Sequence, residues 1–270
     1  MLPEQLVGDP DVDRPGIDGK PEWDITRLKA DLNQKEALAV QIAVKRRRTL
    51  EGDTIAGHQA SFTSKNVQRI FPKAPVPMVG TLLKSLIRDS GDLVELDCAS
   101  VFVESEIGLI LKRDLEGPNL SHAEILGTIE AFLPAIEIAP LRPGVMEGKF
   151  SWPHLIAVQK AKGGFVILGR QLTSPKNFDP RLEGCLVSVN GEAKAGAVGF
   201  EAMGSPIAVV AAIAAKLHEI GEKLHAGQVI ITGSLPPPQE IGKNDSNTMV
   251  EFQTLGQVSV RFAWPESSGS

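Results

Sequence analysis

The sequence predicts a mixed α+β domain with a β-sandwich or β-roll core. Two observations carry this. From Cys185 onward, short apolar runs bounded by turn residues outnumber helical stretches: Leu186–Val189, Ala193–Val198, Val229–Thr232, Met249–Phe252 and Val258–Phe262. The turns between them are of hairpin type, Asn190-Gly191 between the first two runs and Leu255-Gly256 between the last two. Helical spacing is concentrated earlier in the chain, and no internal repeat divides it. With 270 residues, 42% of them hydrophobic, the chain is long enough for one large domain or for one plus a small appendage. We expect residues 1–80 to form an N-terminal arm and helical region packed on a core unit of residues 81–270.

Residues 1–22 carry Gly, Pro and Asp at short intervals and read as an extended arm. Asp24 caps a predicted helix from Ile25, with Leu28, Leu32, Leu38, Ile42 and Val44 near helical spacing, a break near Asn33 and a stop at Gly52. Residues 56–65 are polar and small, a strand or loop, followed by a short helix from Lys65 to Phe71. Pro72, Pro75 and Pro77 then force an extended connection. Val79 to Arg88 reads as a short helix or turn, and Leu93 to Leu96 as a strand. Ser121 and Glu124 form a capping box that opens a helix to about Phe132. Leu133 to Ala139 is a buried strand containing Glu137. Trp152-Pro153 marks a helix start that runs to Gly163-Gly164, and Phe165 to Leu168 is a short strand. Ser205-Pro206 starts a helix from Ile207 to about Ile220, stopped at Gly221.

A formal net charge of -5 argues against nucleic acid or an anionic membrane as partner. The run Lys45-Arg46-Arg47-Arg48 falls near a helix C-terminus, where positive charge complements the dipole and water solvates the rest. Cys98 and Cys185 fit no metal or redox spacing and read as buried thiols. No apolar run reaches membrane-spanning length, and the N-terminus lacks a signal-peptide core, so a cytoplasmic protein is expected. There is no Tyr, so acid–base chemistry falls to Glu, Asp, His and Lys.

The stretch Val101–Asp114 organises the rest. Read as a strand, it puts Val101, Val103, Ser105, Ile107, Leu109 and Leu111 on one face and Phe102, Glu104, Glu106, Gly108, Ile110 and Lys112 on the other. Two carboxylates two residues apart on one face repel, and a hard divalent cation between them relieves that. A solvated polar face is the alternative.

Seven pieces in order resemble one family: Glu104-Ser-Glu106-Ile, Leu111-Lys-Arg-Asp-Leu115, Pro134-Ala-Ile-Glu137-Ile, Gly164-Phe-Val-Ile-Leu-Gly169, Gly204-Ser-Pro206, the segment Ala226 to Leu235, and Leu255 to Phe262. Together they resemble the 2-oxopent-4-enoate hydratase and 4-oxalocrotonate decarboxylase family, within the fumarylacetoacetate hydrolase superfamily, over roughly residues 55–263. The resemblance implies a fumarylacetoacetate-hydrolase-like fold with residues 81–270 as catalytic domain. It also implies Mg²⁺ or Mn²⁺ held by Glu104, Glu106 and Glu137. Glu137 otherwise sits among apolar neighbours at a cost, unless it pairs with Arg113 or Arg142. The implied substrates are 2-oxo acids that chelate the metal, which stabilises an enolate shared by hydration, decarboxylation, ketonisation and C–C hydrolysis.

Departures from the family pattern concern the acid–base layer. The family's Lys-x-Gly-Leu-Thr-Ser reads Gln59-Ala-Ser-Phe-Thr63-Ser64 here, so Gln59 replaces a Lys. Pro-Asp-(Phe/Tyr)-Gly reads Pro77-Met78-Val79-Gly80, Asp-Ser-Arg reads Pro140-Leu141-Arg142, and Asp-Asn reads Val158-Gln159. Replacement chemistry is sought at His58, Gln59, His154, Lys160 and Lys162, against the bland alternatives of a loop histidine, a helix-start histidine and solvated lysines. Thr63, Ser64 and Ser234 match positions near the substrate, although hydroxyls are also ordinary turn formers. The expectation is a metal-dependent, hydratase-like lyase on a 2-oxo or β-dicarbonyl acid, acting as a homo-oligomer. Decarboxylation, isomerisation, a non-catalytic partner subunit and a metal-free ligand-binding module are the alternatives.

Overall fold

The structure, a computed structural model, describes residues 32–96, 98, 100–140, 151–153, 156 and 164–264, the side chains of Arg47 and Pro140 excepted. The expected arm over residues 1–22 and the helix start at Asp24 lie outside them. In chain order the first half holds α1 (Gln34–Leu50), β1 (Ile55–Ser61), α2 (Lys65–Ile70), β2 (Met78–Leu83), β3 (Ile87–Asp89), β4 (Leu93–Glu95), β5 (Ser100–Leu111), α3 (His122–Thr128) and β6 (Ile129–Pro140). The second half holds β7 (Phe165–Leu168), β8 (Gly184–Val189), β9 (Glu192–Val198), α4 (Pro206–His218), β10 (Val229–Ile231), β11 (Gln239–Gly242), β12 (Asn247–Phe252) and β13 (Gly256–Ala263).

Two sheets result. The larger runs β2-β1-β10-β5-β6-β7-β3, with β11 also paired to β5, and the smaller runs β4-β13-β12-β8-β9. The expected boundary after residue 80 falls inside β2, whose partner β1 lies against β10 in the large sheet. The longest pairing joins β5 to β6, antiparallel from Val101 opposite Pro140 to Leu111 opposite Ile129. Its alternation is the one predicted: all six residues of the apolar face are buried, while Phe102, Glu104 and Ile110 on the other are half-buried. That apolar face joins Ile136, Ile138 and Ile167, the inner face of β13 (Val258, Val260, Phe262) and α4 (Ile207, Val210, Ile213) in one core cluster. Each such aliphatic side chain contributes about 1.5–3 kcal/mol by leaving water. The opposite face carries a separate small cluster of Leu82, Ala135, Val166, Val229 and Ile231.

Helix ends follow local chemistry. Asn33, expected as a break, is the N-cap of α1 and forms a capping box with Glu36. Ser121 and Glu124 cap α3 the same way. At the hairpin turn Asn190 and Gly191 both take positive φ, 51° and 81°, as a type I′ turn requires. The stretch Gly199–His218 is long and apolar enough to cross a membrane. Its α-helix proper is only 13 residues, about 20 Å, and seven of them are buried in the core.

Four expectations are corrected. Val79–Arg88 is not a helix but β2, a short 3₁₀ turn at Lys84–Leu86 and β3. All six residues of β2 are buried, and a run buried on both faces carries no period to separate strand from helix. The helix opened by Ser121 stops at Thr128, because Ile129 already pairs with Leu111. Lys45, expected in solvent, is 1% exposed, while Arg46 reaches Glu222 at 2.7 Å. Cys185 is buried as expected, and burial raises its thiol pKa; Cys98 is only half-buried, and the two form no disulfide.

The β2 edge is closed by a side chain of α1. Gln41, 1% exposed, accepts from Thr81 N at 2.8 Å and donates to the carbonyls of Val79 and Ile156. It satisfies an open sheet edge much as another strand would. Gln41→Leu should therefore lower the free energy of unfolding by about 1–3 kcal/mol in urea titrations, and an unchanged midpoint would rule out this edge cap.

Candidate metal centre

The β5–β6 register sets Glu104 directly opposite Glu137, and Glu106 follows two residues later on the same face. Like charges directly opposed across two strands destabilise a sheet. Here a third is added: one oxygen from each of Glu104, Glu106 and Glu137 lies within 4.8 Å of the others. Glu106 is fully buried and Glu137 is 2% exposed, so water screens neither well. An all-oxygen set at this spacing suits a hard divalent cation, which balances the clustered negative charge and leaves positions for water and ligand. Mg²⁺ and Mn²⁺ fit this donor set.

The loop after β10 aims Glu106. Thr232 Oγ1 donates to Ile107 O at 2.9 Å and Leu235 N donates to Ser105 O at 2.9 Å, so residues 232–235 are strapped along β5. Gly233 N–H then donates to Glu106 Oε2 at 2.6 Å. Gly233 has φ +91°, and a Cβ there would stand 2.0 Å from Thr63 Oγ1 and 2.9 Å from Ala60 O. Only glycine fits. This glycine anchor escaped sequence reasoning, although a glycine directly after a buried strand was its signal.

The three hydroxyls converge on the same region. Thr63, 1% exposed, donates to Thr232 O at 2.9 Å. Ser64, fully buried, caps α2 by accepting from Val67 N at 3.4 Å, which leaves its own proton to donate. Ser234, 5% exposed, donates to Pro236 O at 2.7 Å. Phe62, just before them, takes φ 62°, a left-handed turn unusual for a bulky residue.

Gln59 and His58 part company. Gln59 pairs with Ile231, which pairs with Gly108, so Gln59 lies on the face of Glu104 and Glu106. Two strand spacings and two residue rises put its Cα about 12 Å from that of Glu106. Gln59 is fully buried, and neither amide atom has a hydrogen-bond partner among the described residues. Its side chain is seated over Gly80, where a Cβ would approach Gln59 Cγ to 2.8 Å. An unsatisfied buried amide costs about 1–3 kcal/mol and points to a ligand-facing role. His58 pairs with Ile230 and through it with Leu109, and so faces away from the carboxylates. Burial lowers its pKa to about 4, helped by the His225 charge and partly offset by the Gly80 carbonyl. Arg113, one of two alternative partners for Glu137, donates to Gly127 O at 2.6 Å. His154, Lys160, Lys162, Arg142 and Val158-Gln159 lie outside the described residues.

With this geometry in place, comparison with known proteins is direct. No family model matches the chain. The 2-hydroxypent-2,4-dienoate hydratase of Pseudomonas putida is 30% identical over 199 residues, covering 73% of this chain and 88% of that one. The chain belongs to this hydratase and decarboxylase family. Among solved structures of the family, the 4-oxalocrotonate decarboxylase of Pseudomonas putida G7, complexed with magnesium and adipate, is 27% identical with a TM-score of 0.78. The match covers 86% of this chain and 87% of that one. Fumarylpyruvate hydrolase of Pseudomonas aeruginosa, in complex with Mn²⁺ and pyruvate, shares the fold at 14% identity and a TM-score of 0.62, over 77% of this chain and 89% of that one. The expected α+β fold of the fumarylacetoacetate hydrolase superfamily is the fold observed.

Two outcomes follow for this family member. Gly233→Ala should weaken Mg²⁺ binding at least tenfold, because the loop that aims Glu106 must shift; calorimetric titration with Mg²⁺ checks it, and wild-type affinity would refute the anchor. For His58 the ring is neutral in both folded and unfolded chains above pH 6.5. From there down to about 4 the unfolded chain binds a proton that the folded chain refuses, so stability falls as pH falls. Between pH 7 and pH 5 the wild type should lose about 2 kcal/mol more than His58→Gln in urea unfolding. Equal losses would show that this ring is not held neutral.

Proposed function

We propose that the chain is a divalent-metal-dependent lyase of hydratase type, acting on a 2-oxo or β-dicarbonyl acid through an enolate. The carboxylate cluster of Glu104, Glu106 and Glu137 supports this most directly. These three residues would hold Mg²⁺ or Mn²⁺. When bound, such an ion supplies Lewis-acid stabilisation of the negative charge that develops on the 2-oxo oxygen. The names of the relatives, dienoate hydratases and 4-oxalocrotonate decarboxylases, support the substrate class.

The chain's own groups bind and orient. Ser64 keeps a proton to donate to a substrate carboxylate. Thr63 and Ser234, both bonded to backbone, hold the two loops that border the carboxylates. Gln59 cannot relay a proton, but its amide offers a donor and an acceptor together, which is what holding a water or a substrate oxygen requires. With His58 turned away, His154, Lys160 and Lys162 are left as the proposed proton carriers. The intact carboxylate cluster argues against a non-catalytic partner subunit, which has no use for three carboxylates at this spacing. Self-association is supported by an apolar strip on β8–β9, where Leu186 faces Gly196 and Val198 faces Gly184, with exposed Leu182 and Phe200 nearby.

Calorimetric titration of oxalate, a mimic of the 2-oxo acid's chelating end, tests the reading. Binding is expected with Mg²⁺ and not without it, and Glu106→Gln should abolish it while leaving the circular dichroism spectrum unchanged. Metal-independent binding, or full binding to Glu106→Gln, would overturn the assignment.

A further inference from the structure

His58 is a buried imidazole that the carboxylate cluster does not use, and it has a cavity of its own. The space lies between α1, the start of β1 and the 222–228 loop, and measures about 760 Å³. That is within the range of small-molecule sites, roughly 300–1,000 Å³. It is remote from the carboxylates. Val229, on its wall, pairs with Ile110, four residues along β5 from Glu106, or about 13 Å. His58 also points to the other side of the sheet from Glu106.

The lining is ordered by chemistry. Ile42, Ile55, Ile87 and Val229 give apolar walls. At the rim stand two cations of different status. Arg46 is already held by Glu222 at 2.7 Å, whereas Lys84 is exposed and makes no ion pair among the described residues. Lys223 and His225, also on the lining, share Asp114, at 2.8 Å and 3.6 Å. His58 is 4% exposed; its ring bonds the Gly80 backbone, and its Nδ1 has no hydrogen-bond partner among the described residues. A buried ring with one nitrogen left unpaired among the described residues, walled by apolar side chains and opening toward an uncommitted ammonium, is the layout of a ligand site.

We propose that this cavity is a second ligand site, independent of the carboxylate cluster, for a small carboxylic acid with an apolar body and a polar oxygen at its far end. The carboxylate sits at Lys84, the body lies along the isoleucine and valine walls, and the far oxygen meets His58. Because the ring stays neutral above about pH 4, it exchanges a hydrogen bond with that oxygen and brings no charge of its own.

The test uses the full chain with Mg²⁺ and oxalate at saturation, so that the carboxylate cluster is occupied. 4-Hydroxybenzoate, benzoate and inorganic phosphate are titrated separately by calorimetry. One 4-hydroxybenzoate is expected to bind per chain, more tightly than benzoate, with no matching heat from phosphate. Lys84→Glu should weaken that binding roughly fivefold. His58→Phe, which keeps the ring volume, should abolish the preference for 4-hydroxybenzoate over benzoate while benzoate itself still binds. Absence of 4-hydroxybenzoate binding, equal binding of phosphate, or indifference to Lys84→Glu would each overturn the proposal. So would a hydroxyl preference that survives His58→Phe. Should oxalate fail to bind with Mg²⁺, the carboxylate reading fails alone, and the benzoate series still decides this one.

Discussion

The rest of the structure depends on one juxtaposition, Glu104 facing Glu137 across the β5–β6 ladder with Glu106 beside them. A sheet on its own avoids like charges in directly opposed positions. Pairing eleven residues of β5 with β6 over a buried apolar face removes the freedom to avoid it. A slip of one residue would turn Val103, Ile107 and Leu109 out of the core and the carboxylates into it. The large apolar cluster on the far face is therefore what holds the carboxylates side by side, and hydrophobic burial helps to offset their repulsion.

Around that pair, glycine does the shaping. Gly233 brings a backbone N–H to Glu106 where no side chain would fit, and Gly80 makes the room that Gln59 fills. The loop 232–235 is fastened at both ends to β5, so the anchor moves with the strand that carries the carboxylates. A precise site on a rigid strand pair, steadied by backbone contacts, is what metal-assisted chemistry requires.

Much of this was legible in the sequence. The period of two through Val101–Leu111 placed the Glu pair on one face, and seven ordered pieces marked Glu137 as the third carboxylate. Residues with strong local signals behaved as read: the Ser121 capping box, the Asn190-Gly191 turn and the Ser205-Pro206 helix start. Failures came where local signal was weak or overridden. β2 is apolar at nearly every position and carries no period. The helix from Ser121 gave way at Ile129 to the pull of β5. Lys45 is buried although charge counting put it in water. Between neighbours, His58 and Gln59 differ only by strand alternation, and which faced the carboxylates depended on the β1–β10–β5 register, a long-range pairing that no local pattern reveals.

The face that carries Glu104, Glu106, Glu137 and Gln59 thus joins a charged end to a neutral amide. That arrangement suits a ligand chelated at one end and hydrogen-bonded along its length. The central claim is that the three carboxylates share one divalent ion. Anomalous diffraction from a crystal soaked in Mn²⁺ and pyruvate tests it most directly. A single strong peak within about 2.0–2.6 Å of an oxygen from each of Glu104, Glu106 and Glu137 is the predicted result. A peak elsewhere, or none between these carboxylates, would contradict it.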